Sequence, residues 1–479
     1  MDISLTLKYA GRHALKRNAL VTRWCEDLVS RECADPAVHQ LRQAELLAQV
    51  LRAAGRIPAY APYAARASGR DPLAYLIDNF PIIDKTALLE RRQEFLPDGR
   101  LPGSRFNIAA TSGSTGTPLD VYRTLGSMLR EEAFHLQHWR WAGWRRGERQ
   151  AVLRGDTVIP IDQRQPPYWF RDTAGGQLVL STRHLNEETA VLFARELDHF
   201  GVTQLRAYPS AAYLLATYCE RAGVPVRLKS VITGSEMLYD FQRARIESVF
   251  RAKVFDFYSM AERVAYASEC QHGRMHVNPE YGLVEIVDED GRHTDGDGTI
   301  VGTSLLNRSF PLIRYRMNDT ARWSREPCPC GRRYPVIDRI SGRLADQLYD
   351  LDGRAVNCTL IGFAFDGMRN IRKAQVAQVA ADRWIIRVVP AVNYTALDGQ
   401  RVLAKLAAEV SPRVAASIEL VDDIAPLPSG KYKWVSQESS PGKAAGSSSP
   451  AALEAREPEE PSTARGRSRA SALLASLLC

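Results

Sequence analysis

Over the first hundred residues apolar positions recur at helical spacing. LRQAELLAQVLRAAG (41–55) sets its leucines and valine along one stripe, and Gly55 is placed to stop the helix. From about residue 150 the rhythm changes. QAVLRGD, QLVLST, TQLRAYPS, LKSVITGSE and AKVFDFYS are short runs of strand character, and SAAYLLATYCERAG and LYDFQRARIESVF, lying between the last three, return to a helical period. Strand, helix, strand, helix, strand with short connections predicts right-handed parallel crossovers, hence an open α/β sheet. Ligands of such sheets gather at the carboxyl ends of the strands. In this sequence those ends read Ala207-Tyr208-Pro209-Ser210, Thr233-Gly234-Ser235-Glu236 and Phe257-Tyr258-Ser259.

From 281 to 317 the pattern is β-rich, with GLVEIVDEDG, GTIVGTSLLN and FPLIRYRM separated by DEDG and DGDG turns. After SGRLAD (341–346) a smaller α+β segment follows: strands near AQVAQVA and WIIRVVP, a helix near GQRVLAKLAAEV, a strand SIELVDDI, then APLPSGKYKW. Beyond about 437 the text is rich in Ser, Pro, Gly and mixed charge, the composition of a disordered tail. The expected organisation is α/β: a large unit over 1–342 with open mixed and parallel sheets flanked by helices, its first hundred residues a helical lead-in. A hinge follows at 343–346, then a small, mobile α+β domain over 347–436 and the tail over 437–479.

With 479 residues, 45 % apolar and 25 % charged, the composition is that of an ordinary soluble globular protein of two domains. No run approaches the ~18 apolar residues of a membrane span. Lys8, Arg12 and Lys16 interrupt any signal-peptide core, and Cys479 is misplaced for prenylation, so a cytoplasmic protein is expected. The net charge of +8 invites a nucleic-acid reading, but no run of five or six basic residues occurs, and a diffuse excess suits a solvated surface or small anions such as nucleotides. Nucleic-acid binding is therefore not expected. Only ten of the 63 basic residues are lysine, which gives weight to a lysine in a special setting. Cys25, Cys33, Cys219, Cys358 and Cys479 are isolated, and the reading for them is buried or incidental thiols. Trp139, Trp141 and Trp144 read as helix packing with a basic end, core rather than pocket.

Thr111-Ser112-Gly113-Ser114-Thr115-Gly116-Thr117-Pro118 packs five hydroxyls and two glycines into eight residues. Glycine lets backbone approach a ligand closely, and exposed amides with hydroxyls form a concave donor array for phosphate oxygens. The GK[ST] ending of a Walker A loop is missing. A plain flexible Ser/Gly loop has the same composition.

Set beside what lies further along, the sequence resembles the adenylate-forming superfamily of acyl- and aryl-CoA synthetases, within it the phenylacetate–CoA ligase branch with its capsular-polysaccharide relatives. TSGSTGTP resembles the family's phosphate loop, TGSE (233–236) the segment lining the adenine pocket, and YSMAE (258–262) the motif whose aromatic stacks near adenine and whose Glu helps hold magnesium. RYRMND (314–319) resembles the segment whose Asp accepts the ribose hydroxyls, SGRLAD the hinge, and PLPSGK (426–431) the loop carrying the adenylation lysine. The resemblance thus implies Lys431 and Glu262 as catalytic, with Glu262 on Mg²⁺. It implies ATP contacts at Thr111, Ser112, Gly113, Ser114, Thr115, Gly116, Gly234, Ser235, Glu236, Tyr258, Ser259, Asp319 and Arg343. Leu119, Ser259, Ala261 and Ala345 depart from the pattern, the mark of a diverged member. The implied activity joins a small carboxylic acid to AMP with release of pyrophosphate, then passes the acyl group to coenzyme A. Another acceptor (a carrier protein, an amine, a cofactor hydroxyl) and a non-catalytic nucleotide-binding relative are the alternatives. A homodimer is compatible with it.

Cys270-Gln-His272-Gly-Arg-Met-His276 follows YSMAE, and Cys328-Pro-Cys330-Gly331 comes about fifty residues later. Three thiols and an imidazole suit tetrahedral zinc, and a complete four-ligand set leaves no open position, so the metal would be structural. The cluster also resembles one in the capsular-type relatives. His276 is the preferred fourth ligand, with His272 as the runner-up.

Overall fold

The computed structural model describes residues 3–100, 106–110, 119–160, 162–341, 348–349, 355–356, 365, 370–380, 382–409, 415–425 and 433–438. The lead-in is helical as expected: α1 (Ile3–Lys16), α2 (Ala19–Arg31), α3 (Pro36–Ala54), α4 (Ala61–Ala64), α5 (Pro72–Asn79) and α6 (Lys85–Glu90). The Asp35 carboxylate accepts the Ala37 amide and Pro36 opens α3, while Gly55 caps it. A hairpin of β1 (Phe106–Ala110) and β2 (Asp120–Thr124) leads into α7 (Leu125–Trp141), which Thr124 caps.

The alternating region gives β3 (Arg149–Arg154), β4 (Trp169–Asp172), β5 (Gln177–Ser181), α8 (Glu187–His199), β6 (Val202–Ala207), α9 (Pro209–Arg221), β7 (Ser230–Gly234), α10 (Asp240–Phe250) and β8 (Lys253–Ser259). The β-rich region adds β9 (Tyr266–Glu269), β10 (Met275–Val277), β11 (Gly282–Val287), β12 (Gly298–Ser304), β13 (Tyr315–Trp323) and β14 (Val336–Ser341). All but the hairpin strands join one twelve-stranded sheet in the order β11-β12-β13-β14-β10-β9-β8-β7-β6-β3-β5-β4. β5, β3, β6, β7 and β8 run parallel, and the remaining pairs are antiparallel. The β-rich segment is therefore a continuation of the parallel sheet. Within FPLIRYRM only Tyr315 onward is strand, because Arg314 takes a left-handed φ of 48° that turns the chain into β13. The expectations did not include β4 or α8; an Asn186–Thr189 capping box starts that helix.

The two faces of the parallel half differ in character. Leu153, Leu205, Val231 and Val254 point to one side and form a core with residues of α8, α9 and α10. On the other side lies a buried polar chain: Gln150 donates to Gln204 at 2.6 Å, and Gln204 to Ser230 at 2.9 Å. α1 and α7 cover that second face.

The C-terminal part holds the pair β15 (Leu348–Tyr349) and β16 (Ala355–Val356), then β17 (Ile371–Ala380), β18 (Arg383–Pro390), α11 (Ala396–Glu409), β19 (Ala415–Leu420) and β20 (Val435–Gln437). The last four strands order as β19-β18-β17-β20 around their own core, with Trp384 fully buried. β20 runs to Gln437 and the Glu438 amide bonds Gln378, so ordered structure passes the expected boundary at 436. The hinge at 343–346 and the tail beyond 438 lie outside the described residues. Cys25 and Cys219 are buried and Cys33 is exposed. Among the described residues no helix is long and apolar enough to cross a membrane.

Candidate active site

The carboxyl ends of β7 and β8 and the adjoining stretch of β13 carry most of the predicted nucleotide contacts that are described. Strand alternation puts Tyr315, Met317 and Asp319 of β13 on one side. The Tyr258 hydroxyl, at the end of β8, donates to Asp319 at 2.6 Å and lies 3.7 Å from the Met317 sulfur. The Tyr315 hydroxyl donates to Glu262 at 3.2 Å, so the predicted magnesium carboxylate is tied to β13 four residues before the Asp319 that Tyr258 holds. Ser259 closes β8 and is half-buried.

Gly234 ends β7 against Phe257: a Cβ there would sit 2.5 Å from the ring, so only glycine permits this approach. Ser235 follows with a left-handed φ of 71°, and its hydroxyl accepts from Arg154 at 3.0 Å. The Glu236 carboxylate accepts the Ser210 amide at 3.1 Å, at the start of α9. That tie joins two of the three strand ends singled out in the sequence. Thr111 to Pro118, Arg343 and Lys431 lie outside the described residues; β1 and β2, which flank the first of these, pair directly from Ala110–Asp120 onward.

Arg154 also opens onto a cavity of about 160 Å³ between the polar sheet face and helices α1 and α7. Charged side chains dominate its wall. Lys16 pairs with Glu132 at 2.6 Å, and Arg12 with Asp156 at 3.5 Å. Burial alone would raise the Glu132 carboxyl, but Lys16, His135 and Arg17 together hold it well below the usual carboxylate range. The Arg17 and Arg206 guanidinium carbons lie 4.1 and 4.4 Å from the Trp139 ring centre. Trp139 is core, as expected, and its ring also walls this cavity; Trp141 is core. Sequence reasoning did not find the cavity. Its wall is assembled from α1, α7 and strands β3 to β8, which no motif connects; the available signal was the arginine inside the strand TQLRAYPS.

A second cluster sits where the turn after β9, strand β10 and the loop before β14 meet. One ligand atom each from Cys270, His276, Cys328 and Cys330 lie within 4.8 Å of one another. The Cys270 and Cys328 sulfurs are 3.6 Å apart, and the Cys330 sulfur is 3.4 Å from His276 Nε2. A tetrahedral ion with Zn–S of ~2.3 Å and Zn–N of ~2.0 Å sets those separations at roughly 3.7 and 3.5 Å. The donor set and its spacing fit zinc. Burial pushes the His276 imidazole down to about 4, leaving it neutral with a lone pair free for a metal. His272 is exposed and approaches only through its backbone amide, 3.4 Å from the Cys270 sulfur, so His276 is the imidazole of the cluster. Gly331 takes a positive φ of 84° in the turn after Cys330, and Trp141 packs 5.9 Å from His276.

Comparison with known proteins agrees with this architecture. Residues 348–438 match the CapK C-terminal domain family. Protein CapK of Staphylococcus aureus is 24 % identical over 339 residues, covering 68 % of this chain and 72 % of that protein. A 2-hydroxyisobutyryl-CoA ligase in the postadenylation state, in complex with 2-HIB-AMP, superposes with a TM-score of 0.64 at 20 % identity, over 82 % of this chain and 89 % of that one. The same ligase in complex with 2-HIB-AMP and CoA in the thioesterification state gives 0.53 at 20 % identity, over 85 % and 91 %. A mixed twelve-stranded sheet, a separate C-terminal sheet and a matching CapK C-terminal domain give this chain the fold of the adenylate-forming acyl-CoA ligases, with its relatives on the CapK side.

Proposed function

We propose that this protein is an ATP-dependent ligase that activates a carboxylic acid as its acyl-adenylate and passes the acyl group to a thiol, coenzyme A being the expected acceptor. The observation that carries this reading is the convergence of Tyr258, Asp319 and Glu262 on one edge of the sheet, in a fold whose solved relatives hold acyl-AMP. Tyr258 offers a ring to the adenine, and Asp319, already accepting at 2.6 Å, offers its carboxylate to the ribose diol. Gly234 and Ser235 bring backbone to the same edge without side-chain bulk.

In the first step a carboxylate oxygen of the acid attacks the α-phosphorus, the α–β bridging P–O bond breaks, and pyrophosphate leaves. In the second the thiol sulfur attacks the acyl carbon, its proton passes to solvent, and AMP departs with the acid's oxygen. Two anions must meet in the first step, so donors and cations have to screen the developing charge. The loop 111–118 supplies amides and hydroxyls for the phosphates, and Arg343 a cation near the hinge. Lys431 supplies an ammonium on a flexible stem between carboxylate and phosphate oxygens. Mg²⁺ would be held by Glu262, a hard oxygen ligand, and supplies Lewis-acid screening of the phosphates. Zinc, held by Cys270, His276, Cys328 and Cys330, would be structural, tying the turn after β9 to the loop before β14.

Pyrophosphate–ATP exchange measured across a panel of acids tests this. Exchange should depend on added carboxylate and fall by at least ~10²-fold in Lys431→Ala. Exchange that persists in that variant removes the lysine from its role; none with any acid contradicts adenylation itself.

A further inference from the structure

Of the five cations on the cavity wall, three have partners. Lys16 is paired with Glu132, Arg12 with Asp156, and Arg154 with the Ser235 hydroxyl. Arg17 and Arg206 are different. Neither has a carboxylate within 4 Å among the described residues. Arg17 makes a single long hydrogen bond to Gln150 at 3.4 Å, and its buried Nη1 has no partner. Arg206 donates to no described residue, and its Nε is buried and unsatisfied. Both guanidiniums lie over the same indole, and burial together with their mutual repulsion pulls Arg206 down to about 9. A guanidinium does not escape such a site by giving up its proton near neutrality. Glu132 attracts both from a distance but is already paired with Lys16, so the two cations stand side by side without a carboxylate of their own.

The surroundings are those of a polar recess as well as of a stacked indole. The sheet face beneath is the polar one, with the Gln150–Gln204–Ser230 chain, while the apolar face of the same strands is turned to α8, α9 and α10. Arg154 and Phe257 line the cavity and also touch the strand ends, Arg154 at the Ser235 hydroxyl and Phe257 against Gly234. Its volume of about 160 Å³ equals about five waters at ~30 Å³ each, the scale of a compact acid rather than a long alkyl chain. Planar guanidinium forks match oxyanions bidentately.

From this we infer that the acid activated here carries a second anionic group, bound by Arg17 and Arg206 at the far side of the cavity from the reacting carboxylate: a short dicarboxylic acid or its phosphonate counterpart. The inference rests on the adenylation reading for the identity of the cavity as the acid's site. The charge argument stands separately.

The test uses the full chain and acids matched in length: butyrate against succinate, valerate against glutarate, and 3-phosphonopropionate as the phosphonate arm. In pyrophosphate exchange the doubly charged acids should exceed their matched monoacids at least tenfold in kcat/KM. Arg206→Gln should cut that ratio tenfold or more with the KM for ATP held, and Arg17→Gln should do the same from the helix side. A faster phosphonate would place a phosphoryl-type group, and a faster diacid a carboxylate, at the same arginines. Equal or better use of the monoacids overturns the inference while leaving adenylation intact, and so does an unchanged ratio in both variants. If no acid supports exchange, thermal stabilisation by succinate against butyrate, without ATP, decides. A shift specific to succinate and lost in Arg206→Gln supports the site, and no difference between the two acids removes it.

Discussion

Single residues on β7 and β8 show how closely the site edge is specified. Asp256, one strand position before Phe257, accepts from the Thr233 hydroxyl at 2.6 Å and faces Glu269, itself held by Arg243 at 2.9 Å. Burial, with the Glu269 charge adding to it, pushes the Asp256 carboxyl up to about 7 against the opposing pull of the Thr233 bond and Arg243. The folded value lies above the unfolded one. The stability this group contributes is therefore complete below about pH 4 and is lost as pH rises through about 7. Asp256→Asn should accordingly be close to neutral at about pH 4 and raise Tm by roughly 2–4 °C at pH 8 relative to the parent, measured by thermal melts across that range. A gain at about pH 4 equal to that at pH 8 would contradict the assignment. At this scale much was legible in advance. Gly234, Tyr258, Glu262 and Asp319, the residues proposed for the nucleotide and its metal, could be singled out because each stands in a short motif, the first three at or just beyond the carboxyl ends of β7 and β8. Arg17 and Arg206 could not, because what matters about them is that neither has a direct carboxylate partner among the described residues, and that arrangement exists only once α1 has folded over β6.

At the scale of elements, periodicity resolved the parallel half almost strand by strand, since a doubly buried parallel strand is a short, dense apolar run. It did less well where tertiary contacts override local pattern. The FPLI stretch has strand composition yet sits outside the ladder, because Ser304 bonds Leu312 and Arg314 then turns the chain. β4 was missed because four residues are too few to show alternation. The Cys/His cluster holds together elements distant in sequence, joining the turn after β9, strand β10 and the loop before β14. Elemental analysis of the purified chain should find one zinc per molecule, and Cys330→Ser should lose it and lower Tm by roughly 5 °C or more. A zinc-free parent with the same Tm as the variant would show that the thiols act as ordinary packing.

Across the whole molecule, the C-terminal sheet meets the large unit at α8, α9 and α10. Arg221 donates to the Ile371 carbonyl at 3.1 Å and Arg372 approaches Glu187 at 3.6 Å, while Trp434 packs against Tyr213 and Phe241 at 5.7 and 5.1 Å. Trp434 lies three residues after Lys431 in the sequence. The division into a large α/β unit and a small α+β one was readable from the change of rhythm after 341, but the surface on which they meet was not, because it is built from exposed faces of helices whose patterns only report burial. The chemistry assigned to the pair of units has one isotopic signature. When the acid is supplied with ¹⁸O in both carboxylate oxygens, together with ATP and a thiol acceptor, AMP should carry one heavy oxygen from the acid and pyrophosphate none. Unlabelled AMP, or label in a phosphate product, would contradict attack of the acid on the α-phosphorus.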